Sequence, residues 1–311
     1  MIKQQSLHSV QKAAKEAHEQ ASVLARALPY LRRYTGDTIV VKYGGHAMVD
    51  DNLSNAFGRD IALLKQVGIN PVVVHGGGPQ INKMLERMEV KTTFVDGLRV
   101  TNEAIIDVIE MVLAGTVNKQ VVTLINQAGV LAVGISGKDG GLIEARKLTK
   151  QVWDDSLKKE KIIDLGLVGE PVNIDPRVIY ALSGSGLIPV VAPIGMDKHG
   201  QTYNINADTV AGGIAGAVGA SRLFMLTDVP GVMDKKGNLI PELTEEEAKE
   251  AIVTGVISGG MIPKIETCLQ AVKSGAQAAV IMDGRVPHAC LLELFTEGGS
   301  GTLIRGHTSK S

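Results

Sequence analysis

The chain has 311 residues, 44% of them hydrophobic, with 32 Lys and Arg against 33 Asp and Glu. That length allows one large α/β domain or two modest lobes with a sizeable core, and the balanced charge argues against a nucleic-acid surface. Aromatic residues, at 3%, are too sparse for a platform that stacks single-stranded bases. The two cysteines, Cys268 and Cys290, lack metal-ligand or CxxC spacing and read as core residues of a reducing, cytoplasmic setting. No apolar run of the ~18–20 residues that a membrane span needs stands out, nor does a secretory leader. Neither nucleic acid nor membrane is therefore an expected partner.

In chain order, residues 1–34 come first as an N-terminal helix. Val10, Ala14, Ala17, Ala21, Leu24, Leu28 and Leu31 form a heptad stripe, which packs either between subunits or back on its own domain. Pro29 is expected to limit or kink this helix near its end. From Thr38 the pattern becomes βαβα: "TIVVKYGG", a helix through "LSNAFGRDIALLKQVG", "NPVVVHGGG", then "PQINKMLERM". Further apolar runs at "GVLAVGI", "IPVVAPIG", "RLFMLTD" and "AAVIMDG" extend a mainly parallel sheet covered on both faces. "DKHGQTY" and "MDKKGNL" read as hairpins or loops, and a soft boundary near residue 200 divides a lobe of 35–200 from one of 201–311.

Three glycine-rich loops follow strands: "VKYGGHAM" with Lys42, Gly44 and Gly45; "HGGGPQ" with Gly76, Gly77 and Gly78; and "ISGKDGG" with Lys138. Exposed amides at strand ends favour anions. The chain lacks a G-x-G-x-x-G fingerprint, a G-x-x-x-x-G-K-[ST] loop and a G-x-S-x-G elbow, which removes nicotinamide oxidoreductase, P-loop ATPase and α/β-hydrolase readings. Lys42 is either a phosphoryl ligand or a solvated strand end. Asn204, Asn206 and Asp208 are spaced by two, so an extended segment would turn all three to one side; Asp208 is equally suited to cap the following helix. Arg99 in "DGLRVT" is a bidentate partner for a carboxylate, of a substrate or of a salt bridge. His75 has no metal partner at useful spacing and reads as structural.

Taken with "DGLRVT", "YNINADTVAG", "LTDVPGV" and "GGMIPKIETCLQAV", these loops resemble the amino acid kinase family over about residues 38–304. The resemblance implies a three-layer αβα sandwich, with an acyl-amino acid in the first lobe and ATP, carrying Mg²⁺, in the second. It implies ATP-dependent phosphorylation of the γ-carboxylate of N-acetyl-L-glutamate, an early arginine-biosynthesis step. Lys42 and Lys264 would then flank the transferring group from the acceptor and nucleotide sides, with Asp208 orienting both. Gly77, Gly78, Arg99, Asn204 and Asn206 would hold the acyl-amino acid. Gly44, Gly45, Thr227, Asp228, Gly231 and Gly260 would meet ATP, and no protein ligand is assigned to the metal. The N-terminal helix matches family members that are inhibited by L-arginine and form a homohexamer, a trimer of dimers. Glu293, Glu297 and Gly301 are the candidates for the arginine site, and the resemblance leaves open whether a PII-type regulator binds.

Overall fold

A computed structural model of the protein describes residues 15, 17, 18, 21, 22, 25–95, 97–154 and 159–306. Residues 25–34 are helical (α1), and this helix continues through Pro29 to Tyr34 instead of stopping at the proline. Of the heptad stripe, Val10, Ala14 and Leu24 lie outside the described residues, whereas Ala17, Ala21 and Leu28 are exposed on the single chain.

The first half of the chain then runs β1 (Thr38–Tyr43), α2 (Asp51–Gln66), β2 (Asn70–His75), α3 (Gly78–Arg87), β3 (Phe94–Val95), β4 (Leu98–Arg99), α4 (Glu103–Glu110), α5 (Asn118–Gln127) and β5 (Ala132–Ser136). A long ribbon of β6 (Ile143–Asp154) and β7 (Lys159–Ile174) follows, then α6 (Arg177–Gly184), β8 (Ile188–Ala192), β9 (Ile194–Met196) and β10 (Thr202–Ile205). The last part comprises α7 (Ala207–Ala217), β11 (Arg222–Thr227), β12 (Glu242–Thr244), α8 (Glu245–Val253), α9 (Met261–Lys273), β13 (Ala278–Asp283), α10 (Ala289–Phe295) and β14 (Gly301–Arg305).

Local sequence explains the helix boundaries. Asp50 caps α2 by accepting from Leu53 N at 2.9 Å, Pro79 stands in the first turn of α3, and Thr244 and Glu247 close a capping box on α8. The eight-stranded sheet has the order β12-β14-β13-β11-β1-β2-β8-β5. Its pairs are parallel apart from β13 with β14, so the carboxyl ends of β1, β2, β11 and β13 share one edge. β1 sits between β11 and β2, the position at which an open α/β sheet carries its ligand crevice.

Strand alternation divides the core between two faces. Val40, Val72, Val74, Leu223 and Met225 pack on one side with Ile214 of α7 and Ile265 of α9. Ile39, Val41, Val73 and Phe224 pack on the other with Phe57 and Ile61 of α2. This is the expected three-layer αβα architecture. The β6–β7 ribbon, which joins β9 and β10 in a small separate barrel, has no counterpart among the apolar runs. Its stretch "IEARKLTKQ" carries charges between its apolar residues and gives no core signal.

The helical run Glu103–Gln127 corrects one expectation: by length and hydropathy it does qualify as a membrane span. Its apolar residues are used inside the protein. Ile105, Val108, Ile109, Val112, Leu113 and Val117 form a third cluster with Ile81 and Leu85 of α3, and Val121 and Ile125 join the core beside α2.

His75, at the end of β2, is fully buried. Burial pushes its pKa down to about 4, whereas an unfolded histidine titrates near 6.5. The unfolded chain therefore binds more protons between these values, and stability present above pH ~6.5 is lost as the pH falls toward ~4. Calorimetric melting across this range should show a flatter acid limb for His75→Asn than for the wild type.

Candidate active site

Lys42 lies on β1 two residues beyond Val40, so its side chain leaves the sheet on the face covered by α7 and α9. Asp208 stands in the first turn of α7 and Lys264 in the first turn of α9. The three converge. Lys42 Nζ is 3.0 Å from Asp208 Oδ1, and Lys264 Nζ is 3.0 Å from Oδ2 of the same carboxylate. Burial alone would push the Asp208 carboxyl up, but the two ammonium groups outweigh it and hold its pKa below the usual range. The carboxylate stays charged, and the triad carries a net positive charge. Side-chain exposures of 13% for Lys42 and 24% for Lys264 leave both reachable by a ligand.

The spacing of Asn204, Asn206 and Asp208 works differently from the extended segment read in the sequence. β10 ends at Ile205, and the chain turns into α7 before Asp208. Asn206 is the helix cap, accepting from Asp208 N at 2.7 Å and Thr209 N at 3.4 Å. Asp208 is thereby released from capping and free to bridge the lysines.

Next to the triad is a cavity of about 170 Å³ lined by Gly77, Gly78, Arg99, Asn204 and Asn206, among others. This is smaller than the ~300–1,000 Å³ typical of drug-sized sites and suits a small acid. The Arg99 guanidinium is 5% exposed. It donates to Asn82 Oδ1 at 2.6 Å and Thr92 Oγ1 at 3.3 Å and lies 4.5 Å from the Phe94 ring centroid. Among the described residues no carboxylate pairs with it, which leaves a buried, oriented cation facing the cavity. Asn82 and Phe94, which aim this arginine, carried no motif in the sequence.

The glycine loops abut: a Cβ on Gly44 would stand 3.1 Å from Lys42 Nζ and 3.8 Å from Gly76 Cα. Gly45 is exposed, with a positive φ of +67°. Gly77 is closely packed by the helical run after α4. A Cβ there would meet Leu113 Cδ2 at 2.5 Å, a side chain that itself lines the cavity. A Cβ on Gly78 meets nothing within 4 Å. Lys138 is also reassigned, because its Nζ is tied to Glu110 Oε1 at 2.8 Å and Thr202 Oγ1 at 3.1 Å, outside the lysine triad.

Thr227 ends β11, with Asp228 just beyond it accepting from Thr227 Oγ1 at 3.2 Å. Gly231 is packed against Thr302 Oγ1, 2.6 Å from where a Cβ would stand, while Gly260 faces open space before α9. Glu293 accepts from Ser300 N at 2.7 Å. Gly301 lies in β14, where a Cβ would strike Ile281 O, and Glu297 is exposed.

The profile of the amino acid kinase family matches residues 37–283. The chain belongs to this family. As a family member it is a kinase and uses ATP. The acetylglutamate kinase of Gluconacetobacter diazotrophicus is 75% identical over 291 residues, covering 94% of this chain and 93% of that relative. N-acetylglutamate synthase from Neisseria gonorrhoeae, complexed with coenzyme A and N-acetyl-glutamate, superposes with a TM-score of 0.78 at 24% identity over 93% of this chain. This chain spans 64% of the synthase's length. The same synthase with coenzyme A and L-arginine gives 0.74 at 23% identity, covering 92% of this chain and 65% of that one. At these identities the synthase shares the fold of the amino acid kinase family member described here, and the likeness extends no further.

The two glycines of the loop should separate experimentally. Gly77→Ala forces Leu113 to move and should lower stability by ~1–3 kcal/mol, as overpacking does. Gly78→Val should leave the melting temperature nearly unchanged and cut kcat/KM at least tenfold; calorimetry and steady-state kinetics on the same preparations check both.

Proposed function

We propose that the protein transfers the γ-phosphoryl group of ATP to the γ-carboxylate of N-acetyl-L-glutamate. The observation that carries this reading is the juxtaposition of a small cavity, holding the buried Arg99 cation and Asn204, with the Lys42–Asp208–Lys264 triad. Its 75% identity to a protein named acetylglutamate kinase supports the choice of acceptor.

Phosphoryl transfer to a carboxylate brings two anions together, so catalysis is mainly positioning and charge compensation. Arg99 holds the α-carboxylate of the acceptor as a planar fork, and Asn204 and Asn206 contact its amide. Lys42 meets the transferring group from the acceptor side and Lys264 from the nucleotide side. Asp208 keeps both ammonium groups at fixed positions between the two substrates. Amides of Gly44, Gly45, Gly77 and Gly78 add donors to the oxygens that gain charge. Thr227, Asp228, Gly231 and Gly260 frame the nucleotide; on this reading ATP belongs to the lobe of 201–311 and the acceptor to that of 35–200, with Asn204 and Asn206 reaching it from the other lobe.

Mg²⁺ supplies charge neutralisation on the phosphates when bound. The described residues contain no group of three His, Cys, Asp or Glu side chains able to hold a metal, and the Asp208 carboxylate is taken up by the lysines. On this reading no protein ligand is assigned to the ion, which is held by phosphate oxygens and water in keeping with the reluctance of Mg²⁺ to dehydrate.

The reading extends to a cytoplasmic, L-arginine-inhibited homohexamer assembled through residues 1–34, with inhibitor near Glu293, Glu297 and Gly301. Its support is the apolar stripe, of whose described members Ala17, Ala21 and Leu28 are exposed on the single chain and Leu31 is half-buried.

A coupled ADP-release assay across N-acetylglutamate, glutamate, aspartate, carbamate and UMP should give turnover with N-acetylglutamate far above the rest. Lys42→Ala should reduce that turnover by at least 10² with the fold intact by circular dichroism. Higher turnover with another acceptor would sink the assignment. Deleting residues 1–30 should lower the mass measured by light scattering and weaken arginine inhibition; no change in either would remove the hexamer and its regulation.

A further inference from the structure

Behind the Gly76–Gly78 loop lies a buried polar tier that the chemistry above does not use. His75 Nδ1 is 2.8 Å from Gly76 O, and its Nε2 is 3.2 Å from Asn118 Nδ2. The other neighbours of Asn118 fix the orientation of its amide. Nδ2 lies 2.9 Å from Val190 O and 3.2 Å from Ile135 O, two atoms that can only accept. Oδ1 accepts from Lys119 Nζ at 2.9 Å. The Asn118 group facing His75 shares its two hydrogens among three acceptors and can accept none, so Nε2 carries no proton; Gly76 O can likewise only accept, and the ring of a neutral imidazole carries its one proton on Nδ1. Burial keeps the ring neutral at ordinary pH.

Nδ1–H accordingly donates to the Gly76 carbonyl. On the other side of the same residue, Gly76 N–H donates to Tyr43 O at 2.8 Å. The Gly76–Gly77 peptide is trans, and in a planar trans peptide the C=O and the following N–H point in opposite directions. A carbonyl turned inward to His75 therefore turns the Gly77 N–H outward, to the side where Gly76, Gly77 and Gly78 line the cavity.

We propose that His75 and Asn118 are positioning residues that lock the Gly76–Gly77 peptide with the Gly77 N–H facing the oxygens of the transferring group. This deepens the phosphotransfer reading and rests on it. The surrounding helix is shaped for the task. Between α4 and α5 the residues Met111–Val117 form a π-helical run, a rare geometry that recurs at functional sites. The run packs Leu113 and Val117 against Gly77 and ends where Asn118 begins α5. Gly134 completes the fit, since a Cβ at that position would strike Asn118 Oδ1. One amide side chain thereby joins three neighbouring strands, β2, β8 and β5, and with the Gly76 carbonyl sets the tautomer of the histidine beside the reacting loop.

Two substitutions separate positioning from bulk. His75→Asn retains an N–H donor where imidazole Nδ1–H stands, and His75→Leu keeps apolar volume without a donor. Loss of one oriented donor costs about 10²–10³ in kcat. His75→Leu should accordingly lower kcat with ATP and N-acetylglutamate about 10²-fold, with both KM values within threefold of wild type. His75→Asn should recover to within tenfold of the wild-type kcat, and Asn118→Leu should fall with His75→Leu. Independently of any acceptor, ¹⁵N NMR of the wild-type protein should report His75 as the Nδ1–H tautomer. Equal kcat in the Asn and Leu variants, or an Nε2–H tautomer, overturns the lock. If His75→Leu does not fold, the tautomer decides. A wild type inactive on N-acetylglutamate that still shows the Nδ1–H tautomer sinks the choice of acceptor and supports the lock.

Discussion

One carboxylate shared by two lysines is the constraint around which the active region is arranged. Asp208 gives one oxygen to Lys42 and the other to Lys264, each at 3.0 Å. Two ammonium groups this close repel each other strongly where solvent is sparse, and the carboxylate between them makes the arrangement affordable. It also ties together β1, α7 and α9, elements far apart in sequence. The single positive charge left once Asp208 offsets one of the two ammonium groups is what a reaction between two anions requires.

The rest of the fold supplies the geometry for that triad. Parallel pairing of β1 with β2 and β11 aligns their carboxyl ends, and the period-two alternation that buries Val40 against α7 and α9 sends Lys42 to the same layer. Capping by Asn206 sets the start of α7 and thereby the direction of Asp208. The loop glycines differ in what surrounds them: Gly77 gives way to Leu113, and Gly78 has open space beside it. A second layer of His75 and Asn118 holds the Gly76–Gly77 peptide.

Much of this was legible in the sequence. The βαβα pattern and the strand-end loops followed from runs and motifs that have a local cause, and the grouping of Lys42, Lys264 and Asp208 was implied by the family resemblance those motifs carry. Other features have no local signature. The β6–β7 ribbon mixes charged and apolar residues and lies outside the main sheet. The apolarity of Glu103–Gln127 reads the same whether it meets lipid or protein. Spacing put Asn204, Asn206 and Asp208 on one extended side, but an asparagine cap turned the chain into a helix between them. Lys138 stands in a glycine loop like Lys42, and only the fold set Glu110 opposite it.

The sequence by itself determined the three-layer class, the family and the identity of the charged residues, because hydrophobic period, glycine placement and motif order are short-range properties. Only the tertiary structure decided which atoms meet: that both lysines share Asp208, that the Arg99 guanidinium faces a cavity with no described carboxylate beside it, and that a Cβ on Gly77 would point at Leu113. Such contacts join residues tens to hundreds of positions apart. They depend on strand register, helix direction and the shape left between packed layers, quantities that exist only once the chain has folded.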